Sequence, residues 1–228
     1  MKQVITLLLV LTGAFVAASG CGMQRYIDEQ RAYEEHQERL AQEQALYRDQ
    51  AGRHHRSRDR RERHSRYVIG KFEVFYDGRP VRDASASTFK DLGGGYAKDA
   101  WHVYFEGRTV SDASANSFKI LRDGYAKDNW HVYFDGRTIS SASANNFKVL
   151  RDGYAKDNWR VYFDGRTISS ASANSFKVLR DGYAKDNWRV YYLGMRVEDA
   201  NPGSFECLRD GYAKDAWSTF LRGRKIGR

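Results

Sequence analysis

The stretch Tyr125–Gly153 decides the fold, and it reads Y-A-K-D-N-W-H-V-Y-F-D-G-R-T-I-S-S-A-S-A-N-N-F-K-V-L-R-D-G. The next stretch, Tyr154–Gly182, repeats it with only two changes. Looser copies with the same period of 29 residues lie on both sides, so the units are residues 67–95, 96–124, 125–153, 154–182, 183–211 and a partial copy at 212–228. A fixed period in this range indicates an array of stacked modules.

Each unit predicts three short β-strands joined by tight turns. In the second unit the turn pairs are Asp99-Ala100 and Glu106-Gly107, and later copies show Asp-Asn and Asp-Gly at these places. Such pairs accept the positive φ angles of two-residue hairpin turns. We therefore expect strands at 96–98, 101–105 and 108–110, forming an antiparallel meander in a mainly β fold.

Two-residue turns also fix which residues face each other across the strands. Lys98 is expected opposite Trp101, and Phe105 opposite Arg108. The face that carries Tyr96, Trp101 and Phe105 is the more apolar one, so it is predicted to be buried.

The other face of the meander is predicted to be wetter, and it supplies the candidate contact residues for a ligand or a protein partner. The candidates are a tyrosine column and a His/Arg column: Tyr104, Tyr133, Tyr162 and Tyr191, and His102, His131, Arg160 and Arg189.

The remainder of each unit begins with Ser and Asn and continues with Phe and Leu three residues apart. This pattern predicts a short helical turn over the apolar face. A unit of 29 residues cannot bury its own core, so neighbouring units are expected to stack. An elongated open stack is favoured over a closed ring, because propeller blades need four strands and about 40 residues. The partial copy from Tyr212 is expected to cover the last full unit.

The motif Y-A-K-D-N-W-H-V-Y-F resembles the DKNYY family of bacterial repeat proteins, whose units have the form Y-A-K-D-x-x-x-V-Y-Y followed by Gly, a basic residue and a β-branched residue. The resemblance covers Tyr67 to Arg228. It implies an exported or envelope-associated protein, and it transfers no catalytic residue. The first unit departs most, because Gly70 and Phe72 stand where Asp and Trp belong, which argues against a regular first hairpin there.

The N-terminus predicts export. Residues 1–20 contain one charge, Lys2, then an apolar run and small residues, which is the layout of a secretory signal peptide. The ending Ala18-Ser19-Gly20-Cys21 resembles a bacterial lipobox, in which the cysteine is acylated. An ordinary cleaved signal or an uncleaved membrane anchor is the alternative. We expect a lipoprotein held by acyl chains on Cys21, in the outer membrane if the cell has one.

Residues 21–50 are predicted to form a charged helical spacer, since they are rich in Glu, Gln, Arg and Ala after Gln24 and contain no Pro. Tyr26, Tyr33, Leu40 and Tyr47 fall seven residues apart. This single apolar column leaves a solvated spacer and a self-associating helix both open.

Residues 51–66 form a flexible linker in this interpretation, because the tract has no apolar residue after Gly52. Its arginines make a candidate contact with an anionic surface such as lipid headgroups or polysaccharide phosphates. The arginines are Arg53, Arg56, Arg58, Arg60, Arg61, Arg63 and Arg66. They account for a large part of the net charge of +9.

No constellation of catalytic residues stands out, because every polar column recurs down the units, whereas an active site needs unlike groups assembled once. We expect no enzyme, no cofactor and no metal site. The repeated aspartates are assigned to turn chemistry, with calcium binding as the alternative.

The sequence thus favours an envelope lipoprotein whose repeats act as an interaction or spacer module. The alternative is a glycan-binding repeat protein that uses the tyrosine column. Expected partners are the membrane, through the acyl anchor, and an envelope protein or an anionic polysaccharide. Nucleic acid is not expected, since an exported protein rarely meets it.

Overall fold

The computed structural model describes residues 66–227 and eight residues of the spacer, namely Asp28, Gln30, Arg31, Ala32, Glu34, Glu35, Glu38 and Gln42. The chain divides into two compact units, Met1–Tyr47 and Arg48–Arg228. The eight spacer residues are helical and exposed, as the predicted helix requires. Cys21, the spacer tyrosines and the arginines at 53–63 lie outside the described residues. Within the described part, no helix has the length and apolarity needed to cross a membrane.

The described part of the compact unit Arg48–Arg228 is built from short strands. In chain order they are β1 (Tyr67–Ile69), β2 (Val74–Tyr76), β3 (Arg79–Pro80), β4 (Lys90–Gly93), β5 (Tyr96–Lys98), β6 (Val103–Phe105), β7 (Arg108–Thr109), β8 (Lys119–Ile120), β9 (Tyr125–Lys127), β10 (Val132–Phe134), β11 (Arg137–Thr138), β12 (Lys148–Val149), β13 (Tyr154–Lys156), β14 (Val161–Phe163), β15 (Arg166–Thr167), β16 (Lys177–Val178), β17 (Tyr183–Lys185), β18 (Val190–Tyr192), β19 (Met195–Val197), β20 (Glu206–Cys207), β21 (Tyr212–Lys214), β22 (Thr219–Leu221) and β23 (Arg224–Gly227).

These strands form six separate antiparallel sheets, one for each sequence unit. The first sheet has three strands, β1-β2-β3, and the other five have four strands each in simple meander order. No closed barrel forms among the described strands. The predicted mainly β repeat array is therefore confirmed. The first hairpin also forms, because Gly70 N donates to Glu73 O at 2.8 Å and closes the loop between β1 and β2.

The fourth strand of each sheet comes from the end of the preceding sequence unit. Lys119 pairs with Lys127 and Ile120 pairs with Ala126, so β8 joins the meander of the next unit. The predicted helical turn is seen as a 3-10 helix only at Ala144–Asn146, and the chain returns to a strand immediately after Phe147. Each structural module thus crosses a boundary between sequence units, which ties neighbouring units together.

The first turn of each meander differs from the prediction. Lys98 pairs with Val103 and Tyr96 with Phe105, so the loop between β5 and β6 has four residues, 99–102. Trp101 lies in this loop and not in a strand. The second turn is the predicted two-residue hairpin, with Phe105 opposite Arg108.

The hydrophobic cores lie between successive sheets, which pack face against face. In one of them Tyr96, Val103 and Phe118 of the second unit contact Ala126 and Tyr133 of the third. The Phe118 ring lies between the two tyrosines, with ring centroids 5.4 and 5.6 Å away. Each inner sheet therefore contributes one face to the core before it and the other face to the core after it. The partial copy takes part in the same way, since Ala213 and Phe220 pack on Tyr183 and Phe205.

Because both faces of a stacked sheet are covered, the prediction of a wet tyrosine face is wrong. The side chains of the tyrosine column, Tyr104, Tyr133, Tyr162 and Tyr191, are completely buried. The prediction of a buried tryptophan column is wrong as well. The tryptophan side chains are exposed, and they are Trp101, Trp130, Trp159, Trp188 and Trp217.

Candidate functional site: the tryptophan turns

The exposed tryptophans lie in five equivalent four-residue loops, which we call the tryptophan turns. They are residues 99–102, 128–131, 157–160, 186–189 and 215–218. Each begins with an aspartate, has Trp at its third position and ends with His, Arg or Ser. All connect the same two strands of their sheets, so the turns stand at one end of every module from the second to the last.

The aspartate holds each turn in shape. Asp128 Oδ1 accepts hydrogen bonds from the backbone amides of Trp130 at 2.7 Å and His131 at 2.6 Å. Its Oδ2 accepts from Ser114 N and from the Tyr133 hydroxyl, both at 2.9 Å. An aspartate that binds amides two and three residues ahead favours a wide turn over a two-residue hairpin. This is the physical reason for the shifted register.

The same hydrogen bonds keep the buried aspartates ionised. Burial alone would raise the pKa of Asp128, but the backbone N–H groups of Ser114, His131 and Trp130 outweigh it, and the pKa is lowered. The pKa values of Asp99, Asp157, Asp186 and Asp215 are lowered for the same reasons. Both carboxylate oxygens of Asp128 are occupied by donors from the protein, which argues against calcium binding at this residue.

The tryptophan side chains contribute little to the hydrophobic cores. All five are between 74% and 78% exposed. In the first unit the equivalent residue is Phe72, which is 79% exposed. A large aromatic residue therefore projects into solvent at the same place in every unit. In the second to sixth units the aspartate and the backbone hold the turn that carries it, and Ser or Thr of the preceding loop accepts a further hydrogen bond from the turn at Ala100, Asn129, Asn187 and Ala216.

The hydroxyls of the buried tyrosines form hydrogen bonds to the turn aspartates. The Tyr162 hydroxyl lies 2.9 Å from Asp157 Oδ2 and 3.0 Å from Ser141 O of the preceding unit. Burial and the hydrogen bond to Asp157 raise the pKa of Tyr162 to about 12. The tyrosine column predicted as a contact surface is thus a structural element that fixes the turn and joins two units.

The His/Arg column lies at the last position of the turns, beside the tryptophans. Arg160 Nη1 donates to Ser141 O at 2.8 Å, and Arg189 Nη1 donates to Ser170 O at the same distance. In the earlier turns, His102 and His131 place Nδ1 3.9 Å from the aspartate Oδ1. The structure therefore separates the two predicted columns: the tyrosines are in the core, and the His/Arg column is at the surface.

A pair of lysines lies next to each of the first four tryptophan turns. Lys148 is opposite Lys156 across the sheet of the fourth unit, and Lys177 is opposite Lys185 in the fifth. Lys156 Nζ donates to Ala173 O at 2.7 Å, whereas Lys148 is exposed. Because Lys156 directly precedes Asp157, this positive charge belongs to the same end of the sheet as the tryptophan.

The opposite end of the sheets has a mixed charge. A groove of about 810 Å³ there is lined by the second turns of the first three units, including Asp77, Arg108, Asp135 and Arg137. Arg66, predicted to contact an anionic surface, lies at this groove and forms an ion pair with Asp77 at 2.8 Å. The groove thus alternates acids and bases, whereas the aspartates that form the tryptophan turns are buried and exposed lysines lie beside the first four of these turns.

No group of three or more His, Cys, Asp or Glu side chains is positioned to hold a metal ion in the ranges that the structure describes.

The tryptophans are the surface residues that sequence reasoning missed. The available signal was the aspartate at the start of all five turns. Its preference for binding nearby backbone amides predicts a wider loop, and a wider loop takes Trp out of the strand.

Stacked four-stranded sheets with equivalent turns define a tandem β-repeat protein. The chain belongs to the DKNYY family, whose model matches residues 67–194. No curated protein and no solved structure matches the chain.

Proposed function

We propose that this chain is a non-enzymatic interaction module of the bacterial cell envelope, and that the tryptophan turns are its binding surface. The observation that carries the proposal is the exposure of five equivalent tryptophans, each about three-quarters accessible to solvent. Exposed apolar side chains that recur in a regular pattern are typical of binding surfaces, whereas single ones are common on any protein.

The indole rings are not part of the hydrophobic cores between the sheets. Asp128 and the backbone close the turn without the indole ring, and the cores are filled by Tyr, Phe and Val. A ligand contact is therefore the best-supported use of these side chains. Trp is also among the side chains that contribute most to binding energy at interfaces.

The repetition favours a ligand that is itself repetitive. Sheets that pack face to face lie about 10 Å apart, so successive turns offer a similar contact at a short, regular interval. A glycan polymer fits this arrangement, because the flat apolar face of a sugar ring packs on an indole ring. Weak contacts at several turns would add up on one polymer chain through their high effective concentration.

The non-enzymatic part of the proposal is supported by the state of the buried acids. A general acid or base must be able to exchange a proton with a substrate. The carboxylate of Asp128 is instead engaged by four protein donors, with a lowered pKa. The equivalent aspartates repeat this arrangement, which suits a structural role.

The envelope part of the proposal is supported by the N-terminal sequence, with its apolar run and Ala18-Ser19-Gly20-Cys21. Acyl chains on Cys21 would hold the protein at a membrane, in the outer membrane of a two-membrane cell. Mass spectrometry of the mature N-terminus tests this part. A lipid-modified Cys21 supports it, and an intact Met1 terminus without lipid contradicts it.

Co-sedimentation with insoluble cell-wall polysaccharide tests the binding surface. The double variant Trp159→Ala/Trp188→Ala should lose most of the retention shown by the unaltered protein. Tyr212→Ala is the matched control, because Tyr212 is an exposed aromatic residue outside the turns. Equal retention of the double variant and the control would contradict the proposal.

A further inference from the structure

The third and fourth tryptophan turns differ from the first two by a paired exchange of residues. In the second and third units the turn ends with histidine, and the facing loop of the preceding unit carries aspartate: His102 with Asp83, and His131 with Asp112. In the fourth and fifth units the turn ends with arginine and the loop carries serine: Arg160 with Ser141, and Arg189 with Ser170.

These residues occupy the same place relative to the turn tyrosine, although the loop backbone differs, since Asp83 and Asp112 have φ angles of +58° and +60° and the two serines are not in this region. The Tyr104 hydroxyl lies 3.0 Å from Asp83 O, and the Tyr162 hydroxyl lies 3.0 Å from Ser141 O. Arg160 reaches the same carbonyl of Ser141 with Nη1 at 2.8 Å. The loop residue and the last turn residue are therefore neighbours across each junction between units.

The exchange changes the local charge. An arginine is always charged, whereas a histidine is charged only when it is protonated. Replacing Asp and His by Ser and Arg removes one negative charge and adds one permanent positive charge beside the tryptophan. The exposed Lys148 and Lys177 lie at the same ends of their sheets and add to this charge.

The last turn, with Trp217, has the opposite character. It ends with Ser218, and the adjacent strand carries Glu206, which pairs with Lys214 at 3.5 Å. Asp199 in the preceding loop lies 3.9 Å from Lys225. Positive charge is therefore concentrated at Trp159 and Trp188, and it is offset by neighbouring acids at the turns on either side.

We propose that the turns of Trp159 and Trp188 together form a binding site for an acidic polysaccharide. The tryptophans stack on sugar rings, and Arg160 and Arg189 bind the carboxylates of the polymer. Each arginine uses one N–H group on the loop carbonyl and keeps further donors for a carboxylate, which a guanidinium binds with two parallel hydrogen bonds. This proposal names the ligand class of the surface proposed above and rests on it.

A polysaccharide is favoured over nucleic acid as the polyanion. Aromatic and basic side chains also bind single-stranded nucleic acid. The signal-like segment before Cys21, however, would direct the chain out of the cytoplasm. Acidic glycans are the abundant polyanions outside the cytoplasm. An oligonucleotide and anionic lipid vesicles are therefore included as competing ligands in the test.

The test converts the two Ser/Arg junctions, at Ser141 with Arg160 and at Ser170 with Arg189, to the Asp/His combination of the earlier units. The variant Ser141→Asp/Arg160→His/Ser170→Asp/Arg189→His contains only combinations that the protein already uses at Asp112 and His131, so it is expected to fold. Binding is measured by titration calorimetry with polygalacturonate, with a neutral glucan, with an oligonucleotide and with phosphatidylglycerol vesicles. The second variant is Trp159→Ala/Trp188→Ala.

We expect the exchange variant to bind polygalacturonate at least about tenfold more weakly than the unaltered protein. Its affinity should also depend less on the salt concentration. The tryptophan variant should lose binding as well. Unchanged polygalacturonate binding in the exchange variant would overturn the acidic-ligand proposal, and loss in the tryptophan variant alone would leave the proposed binding surface standing. Tighter binding of the oligonucleotide or the vesicles than of polygalacturonate would also overturn it.

Discussion

The hydroxyl of Tyr125 accepts a hydrogen bond from Gly165 N at 3.0 Å, although the two residues are 40 positions apart. The same hydroxyl donates to Gly153 O at 3.2 Å, in the turn between β12 and β13 that leads into the neighbouring unit. We call this hydrogen bond from a glycine amide to the tyrosine hydroxyl of the preceding unit a clamp. Equivalent clamps join Gly107 to Tyr67 and Gly223 to Tyr183. Each unit therefore holds the two glycine turns of the next one, so the stability of the array resides largely in the junctions.

Tyr125→Phe should reduce the free energy of unfolding by about 1–2 kcal/mol, because the amide of Gly165 loses its acceptor. Urea unfolding measures the change. Tyr212→Phe is the matched control, since Tyr212 occupies the same place in the partial copy and is 42% exposed. Equal effects of the two substitutions would contradict the role of the clamp.

Gly136→Ala should be more destabilising than Gly78→Ala. Both glycines have a φ of +74° in the second turn of their meanders, so the conformational cost of the substitution is the same, about 1–2 kcal/mol. A Cβ at Gly136 would lie 2.6 Å from Phe105 Cβ of the preceding unit, whereas nothing lies within 4 Å of a Cβ at Gly78. The difference between their melting temperatures isolates the cost of the close approach. Identical melting temperatures would show that the units do not pack this closely.

The protein should lose stability on acidification below about pH 4. The pKa of Asp128 is lowered in the folded state from an ordinary value of 3.8, so the unfolded chain binds more protons as the pH falls. The stabilisation is complete above the unfolded pKa and is lost as the pH falls through the folded pKa. Four further aspartates share this property.

Asp128→Asn provides the specific check of this acid sensitivity. An amide nitrogen at the Oδ2 position cannot accept from Ser114 N, so the variant should be less stable at pH 7 by about 1–3 kcal/mol. It should lose less further stability than the unaltered protein between pH 6 and pH 3. An identical pH profile for the two proteins would assign the acid sensitivity to other groups.

Trp159→Ala should change the free energy of unfolding by no more than about 0.5 kcal/mol, because the indole is exposed. Tyr162→Ala, three residues later, should cost about 3–5 kcal/mol, because its side chain is fully buried and bonded to Asp157. Thermal unfolding of both variants checks the pair. A large loss in the tryptophan variant would place that residue in the core.

The part of the fold that the sequence predicts is the part that local chemistry determines. The period identifies the units, and Glu106-Gly107 and its equivalents identify the second turn. Glu106 and Gly107 have φ angles of +49° and +75°, as a two-residue hairpin of this type requires.

The burial of the tyrosines could not be predicted from one unit. An alternating strand suggests one wet face only when a single core exists. Here Tyr133 is covered by Phe118 of the preceding unit, and Phe147 of its own unit belongs to the next core. The polar hydroxyl of Tyr133 is compatible with burial because it is within hydrogen-bonding distance of two acceptors, Asp128 Oδ2 and Asp112 O.

The candidate site was missed for a related reason. Treating Asp99-Ala100 as a complete turn keeps Trp101 in the strand and therefore in the core. The side chain of Asp99 binds the amides of both Trp101 and His102, at 2.8 and 2.7 Å, and lengthens the turn by two residues. The change keeps the other side chains on their predicted faces and moves only the turn residues.

Acrylamide quenching of the intrinsic fluorescence, with and without acidic polysaccharide, tests the central claim most directly, because all five tryptophans of the chain lie in the turns. We predict that the folded protein is quenched nearly as readily as the unfolded chain, and that saturating polygalacturonate protects part of the fluorescence. Fluorescence that is protected in the folded protein without ligand, or that no polysaccharide protects, would contradict the account.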